Sequence, residues 1–422
     1  MELLFPRYVQ KRHCYFLIVF VLNYVRLFNC SIYSYSIFKY GAYIFDIFFA
    51  FYFLLCAFKC NQSTKTLLEK SINAFYFILF IALLVGYAGG QYLDYAIKGA
   101  SRAYLLWGIY YYLKLKKIPA SYLLNILKFL LIGGMIVTLL CYIQYPNCWF
   151  GLSNEDAVQG MKDSLESRGV MRFNIPCKIL SALFIFRELQ FFEMKRKQIL
   201  RLGILFLYLL MIGNRFPLIV CLLIVLYMIV TSKHIKFANK IEIVLVICIL
   251  LAIILIIPFT RNIIDKLLAL SAEGGANGIG EDNIRLLAAT YFFTEFNNPN
   301  DYLHIILGNG MCFPNSGKYS DKMEFLNLNL HYYQSDIGYC ELFIYFGIIG
   351  LLVVALWFLG ALLINSSPKY SYIKNFFIFL MIAMICGGYW FEYIVEVAML
   401  SYVLIVSSNP MYGEIKLKSF EK

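Results

Sequence analysis

Apolar runs of roughly twenty residues, separated by short basic turns, succeed one another from residue 14 to residue 407. A helix of that length spans about 30 Å, the thickness of the hydrocarbon layer of a bilayer. A chain built from such runs carries more apolar surface than a soluble globule can bury. Hydrophobic residues make up 61% of the 422 positions and charged residues only 15%, against the ~25% charged that is usual for soluble domains. The mean hydropathy is +0.70. The sequence therefore predicts an all-α polytopic membrane protein, a single integral membrane domain over 1–422, and excludes nucleic-acid binding or intrinsic disorder as its main property.

Windows of about 19 residues place spans near 14–33, 41–59, 72–90, 97–114, 121–144 and 176–193. Six more follow near 198–213, 215–231, 240–259, 338–364, 373–389 and 391–407. With about twelve spans and the N-terminus inside, alternate turns and both termini face the cytoplasm and should hold the Lys/Arg excess. These segments carry Arg7, Lys11, Arg12, Lys59, Lys65, Lys70, Lys114, Lys116, Lys117 and Lys195 to Arg201, among others, more than half of the 37 basic residues. The formal charge of +12 is thus a topology signal and carries no weight as evidence for a polyanionic partner. The basic stretch before the first run resembles a signal peptide's start, but no small-residue cleavage site ends that run, so it is expected to remain as the first span. The 12 cysteines are scattered through apolar runs with no C-x-x-C spacing and no Cys/His cluster, which fits buried thiols rather than a zinc site or a disulfide framework.

Two segments on the outer side are long, 145–175 and 260–337, and long loops in compact proteins concentrate function. In the second, Ile284, Leu287, Ala288, Tyr291 and Phe292 recur at helical spacing and Pro299 supplies a stop. This predicts a surface helix near 281–298 with Arg285 near its start. The glycine-rich piece 273–280 lacks the Lys-Ser/Thr of a phosphate loop and reads as a linker.

Four arginines are candidates for binding phosphate, because a guanidinium stays charged and grips two oxygens at once. Arg215 opens a new helix ahead of Pro217, Arg168 and Arg172 sit where the first long loop re-enters the membrane, and Arg285 starts the surface helix. Asp336, at the mouth of the span that follows it, and His331 are candidate general bases. Each has a plainer reading beside it: arginines snorkel at headgroup depth in many membrane proteins, and loop Asp and His residues often only hydrogen-bond locally. Glu392 and Glu396 lie one helical turn apart and read as a solvated or paired couple. No Asp-x-Asp or Glu-x-Asp occurs in the early outer loops, which weighs against a metal-bound sugar-phosphate site.

Several of these motifs resemble the bacterial O-antigen polymerase and ligase superfamily, integral membrane glycosyltransferases of GT-C-like architecture. Arg172-Phe173-Asn174-Ile175-Pro176 is similar to that family's Arg-rich re-entry, Asn214-Arg215 to its Ser-Arg pair, and Arg285 with Gly308-Asn309-Gly310 to its surface helix and Gly-x-Gly. Residues 336–350, ending Gly347-Ile348-Ile349-Gly350, are similar to its closing motif. Counting back from Gly347, Asp336 stands where the family has His, and His331 lies five residues earlier. Ligases rely on that His, so the departure favours a polymerase.

The resemblance implies polymerisation of undecaprenyl-diphosphate-linked repeat units into O-antigen or capsular polysaccharide at the outer face of the cytoplasmic membrane. It implies inverting transfer without metal or cofactor, with Arg215, Arg285, Arg172 and Arg168 on the diphosphate and Asp336 or His331 as base. The expected partners are the lipid-linked glycans, the bilayer, and a chain-length regulator and flippase, with no nucleic acid. A ligase shares this chemistry, and a lipid-linked oligosaccharide flippase or transporter shares the layout. Against the transporter, neither half of the chain echoes the other and the polar candidates collect on one side.

Overall fold

In the computed structural model the described residues are 11–60, 66–103, 105–145, 148–151, 173, 175–193, 195–211, 215–231, 240, 245, 284–312 and 316–408. They are mainly helical, and the only β pairing among them is a single bridge between Cys30 and Phe150. Among the described residues five stretches are long and apolar enough to cross a membrane: Ser36–Lys59, Leu67–Ala88, Ala120–Gln144, Gly338–Leu363 and Pro368–Cys386. Two shorter apolar helices run over Phe216–Thr231 and Ile394–Ser408. The chain is an all-α, membrane-embedded protein.

Several of the expected spans are divided or shorter among the described residues. The expected span 97–114 is divided into Leu93–Ala103, Leu105–Gly108 and Ile109–Lys116; Lys98 and Ser101 interrupt its apolar character, and Gly108 packs where a Cβ would meet Tyr76 and Phe53. The span expected at 14–33 is helical over Lys11–Tyr24 and then turns sharply. The span expected at 176–193 is helical over Leu180–Gln190. That at 240–259 lies outside the described residues apart from Lys240 and Leu245.

The single domain expected from sequence divides into two compact units. One comprises Met1–Asn23, Tyr40–Asn125 and Glu281–Lys422, the other Tyr24–Lys39 and Ile126–Gly280. In the first, the 67–88 helix starts with a capping box, the Glu69 N–H donating to Thr66 Oγ1 at 3.2 Å while the Thr66 N–H reaches the Glu69 carboxylate at 3.4 Å. This satisfies two of the helix's orphan donors. Glu69 also takes Lys114 Nζ at 3.0 Å. The core is aromatic: Phe75, Trp107, Trp357 and Trp390 pack together, mostly edge to face, with Trp107 and Trp357 centroids 4.5 Å apart. On the 36–59 helix Ile37, Ile44, Phe48, Phe51 and Phe58 are exposed at helical spacing while Phe49 and Phe53 on the other face are buried. A helix apolar on both faces suits lipid on one side and protein on the other.

The second unit holds the helices Leu180–Gln190, Arg196–Met211 and Arg215–Thr231, with Arg201 Nη1 on Glu188 Oε1 at 3.1 Å. Its least ordinary backbone is at 26–29, where Arg26, Leu27, Phe28 and Asn29 all have positive φ. A non-glycine residue in that region costs about 1–2 kcal/mol, so this left-handed turn persists only because its surroundings fix it. The Asn29 carbonyl accepts from the Gly151 N–H at 3.0 Å and the Ser31 N–H donates to the Trp149 carbonyl. Phe28 also fills the space beside Gly133, where any Cβ would overlap its ring.

Candidate functional site

The site is built where the 338–363 helix is broken. Gly347 has φ +63 and ψ −162 inside that helix, a conformation that glycine adopts without penalty. The break leaves the Ile344 and Tyr345 carbonyls without their usual helical donors. Unsatisfied peptide groups at membrane depth cost several kcal/mol each, and the chain supplies substitutes from Gly308-Asn309-Gly310. The Asn309 N–H donates to the Ile344 carbonyl at 2.7 Å and the Gly310 N–H to the Tyr345 carbonyl at 3.1 Å. Asn309 Nδ2 donates to Ile344 O at 3.2 Å and to Asn297 Oδ1 at 3.0 Å. Gly308 and Gly310 both have positive φ, and Gly310 lies against Ala82 and Gly86 of the 67–88 helix. Two motifs noticed separately in the sequence are thus one structural joint.

That joint seats the segment before it. Residues Ile284–Thr290 form an α-helix that widens into a π-turn over Tyr291–Glu295 and ends ahead of Pro299; the expected start at 281–283 lies outside the described residues. Its buried side is Ala288, Phe292 and Phe296. Lys322 Nζ donates to the Phe296 carbonyl at 2.6 Å and stands 4.1 Å from the centre of the Phe296 ring; burial lowers its pKa. Tyr319 donates to the Gly310 carbonyl at 3.3 Å, and burial pushes its phenol well above the ordinary range.

Two of the candidates belong to the start of the 338–363 helix, where Gly338 lies against Met384 and Gly387. The charges of the Arg285 guanidinium and the Asp336 carboxylate both act on the thiol of Cys386. Both Arg285 and Asp336 are exposed while Cys386 is half-buried, so a cation and a carboxylate face solvent around one sulfur. Asp336 ends the short turn Gln334–Asp336. From that turn Gln334 Nε2 donates to Tyr345 Oη at 3.2 Å, and Tyr345 in turn bonds Glu341.

Glu341 was passed over in the sequence. It is 8% exposed, its Oε2 has no partner, and Glu392 adds a second negative charge nearby. The carboxylate abuts Gly388, where any side chain would strike it. The signal that could have found it is a carboxylate in the first turn of the most apolar helix. A second feature missed is His304, whose Nδ1 lies 2.6 Å from Asp301 Oδ2 while Asp301 also caps the Tyr302–Leu307 helix.

Of the other candidates, His331 is exposed with φ +54 and follows the Lys318–Asn329 helix, where the Tyr332 N–H returns to the Leu326 carbonyl at 3.1 Å. Its backbone role as a left-handed helix terminator, a position where His is tolerated, is enough to account for its placement. Arg215 begins the Arg215–Thr231 helix, with Pro217 in the first turn, and belongs to the second unit. Arg168 and Arg172 lie outside the described residues. No protein-family model matches this chain, and no curated protein matches it.

Proposed function

We propose that the chain is a polysaccharide polymerase of the bacterial cytoplasmic membrane, with about twelve spans, both termini inside and its site on the outer face. The donor is a glycan on undecaprenyl diphosphate and the acceptor is a sugar hydroxyl on another lipid-linked repeat unit. The observation that supports this reading is that Arg285 and Asp336 are both exposed and both act by charge on one residue, Cys386, of the segment packed against the start of the 338–363 helix. A cation and a carboxylate within one exposed group are the two functions that the transfer needs.

In the transfer, the bond from the donor's anomeric carbon to the diphosphate oxygen breaks and a bond from that carbon to the acceptor oxygen forms, with inversion. The diphosphate leaves with the electron pair, and Arg285 offsets its charge as a preorganised donor does. Asp336 takes the acceptor's proton, with His331 as the alternative base. Tyr291 and Tyr332, whose rings lie 5.8 Å apart, offer flat faces to sugar rings.

The test is gel analysis of surface polysaccharide from the native host with the gene deleted and restored. The expected result is loss of the long ladder, with one repeat unit still reaching its final acceptor, and no rescue by Arg285→Ala although the protein reaches the membrane. Long chains that stay lipid-linked would instead assign a ligase, and single units held on the cytoplasmic face a flippase. A normal ladder from Arg285→Ala would remove the site assignment.

A further inference from the structure

Cys141 and Cys148 are joined by a hydrogen bond from one residue's thiol to the other's carbonyl. Cys141 lies three residues before the end of the Ala120–Gln144 helix and Cys148 follows in the next segment. Cys148 Sγ donates to the Cys141 carbonyl at 3.2 Å and Cys141 Sγ to the Phe150 carbonyl at 3.3 Å, which brings the two cysteines together at the helix end. Both residues are buried, at 0% and 6% exposed, and both thiols are free in this structure.

A second observation concerns what this pair holds. Residues 149–151 anchor the left-handed turn Arg26–Asn29 through the bridge between Cys30 and Phe150, the Ser31 N–H on Trp149 and the Gly151 N–H on Asn29. The anchor is itself tied to the helix end by the two sulfur contacts and by the Trp149 N–H on Gln144 Oε1 at 3.3 Å. Thiols are weak donors, yet they fix the strand that keeps four strained residues in place. A covalent tie between the same two sulfurs is the chemistry that this position calls for.

We propose that Cys141 and Cys148 are an oxidation site and form a disulfide in the mature protein. The proposal rests on the outward orientation of 145–175 given above, since disulfides form and persist outside the cytoplasm. The co-reactant is a disulfide-donating thiol oxidoreductase of that compartment. The Cys148 thiolate attacks the donor disulfide to give a mixed disulfide and one free donor thiol, then Cys141 displaces the second donor thiol. Two protons and two electrons pass from the pair to the donor, and one S–S bond replaces another.

The experiment uses the full chain in its membrane. Free thiols are blocked with N-ethylmaleimide under denaturing conditions, the sample is reduced, and newly exposed thiols are counted by the gel shift of a polyethylene-glycol maleimide. Two additions per chain are expected from the wild type and from Cys30→Ser, and none from Cys141→Ser or Cys148→Ser. No additions from the wild type, or their loss in Cys30→Ser, would overturn the proposal. Orientation is read separately with Trp149→Cys, a residue 65% exposed, in a background with Cys141→Ser and Cys148→Ser. Labelling by a membrane-impermeant maleimide from outside, with a reduced wild-type pair, overturns the cross-link alone. Labelling only from the cytoplasmic side, with a reduced pair, overturns the orientation as well.

Discussion

Gly308 and Gly347 approach so closely that neither has room for a side chain: a methyl carbon on Gly347 would stand 2.6 Å from the Gly308 nitrogen. One glycine breaks a membrane helix and the other begins the loop whose N–H groups repair the break. The outer segment is therefore not an appendage of the membrane part, since its hydrogen bonds complete a spanning helix.

Gly347→Ala should accordingly be among the most damaging small substitutions in the chain. It forces a left-handed φ, costing about 1–2 kcal/mol, and drives a methyl group into the Ile306 carbonyl. A fall in thermal stability of the detergent-extracted protein of at least several degrees is expected, on the order of 2 kcal/mol or more. Gly41→Ala, which has nothing within 4 Å, is the control and should leave the melting point unchanged or raise it. Equal melting curves for the two variants would show that the joint is not needed.

Gly388 and Glu341 should be energetically coupled. A Cβ at position 388 runs into Glu341 Oε2 and lies 3.3 Å from the Ser335 carbonyl. Gly388→Ala should lose stability, and in the background of Glu341→Ala the same change should cost less, with a coupling energy of about 0.5–3 kcal/mol for groups in contact. Additive losses in the double-mutant cycle would separate the two residues.

Lys322 offers a test of how the outer segment is held. Its ammonium donates to the Phe296 carbonyl and faces the Phe296 ring, contributions of roughly 1.5–3 kcal/mol for a charged hydrogen bond and about 0.5–1 kcal/mol for the cation and ring. Lys322→Met keeps the length of the side chain and removes both. Amide exchange over 291–332 should then quicken by tenfold or more while the Leu67–Ala88 helix exchanges as before. Unchanged exchange in the outer segment would show that other contacts carry it.

What the sequence made legible follows from which forces act locally. Apolar runs and the Lys/Arg bias are properties of short windows, so membrane embedding and the ends of helices such as Gly338–Leu363 could be read within a residue or two. Arg285 and Asp336 were recognisable from residue type and position, but their shared action by charge on Cys386 was not, because no window contains positions 285, 336 and 386. The same holds for Gly308 with Gly347, and for Glu341, whose significance comes from Gly388 and Tyr345 packing around it. The span at 97–114 was misread because hydropathy averages over Lys98 and Ser101 and does not register the tight contact of Gly108 with Tyr76.

Cys312 gives the outer segment a pH signature. Burial, together with the nearby Asp321 carboxylate, pushes its thiol from 9.0 up to about 12. The folded pKa is the higher one, so folding favours the protonated thiol. That contribution is fully present below pH 9 and is lost as pH rises toward 12, because the unfolded chain gives up the proton first. Each unit in that window removes about 1.4 kcal/mol. In a variant retaining Cys312 as its single cysteine, maleimide should react slowly at pH 8 and at the rate of an ordinary thiol once the protein is denatured. The folded-state rate should keep climbing with pH well past 9. A midpoint near 9 in the folded protein would mean that the 308–317 loop is open to water, and the joint with Gly347 would have to be loose as well.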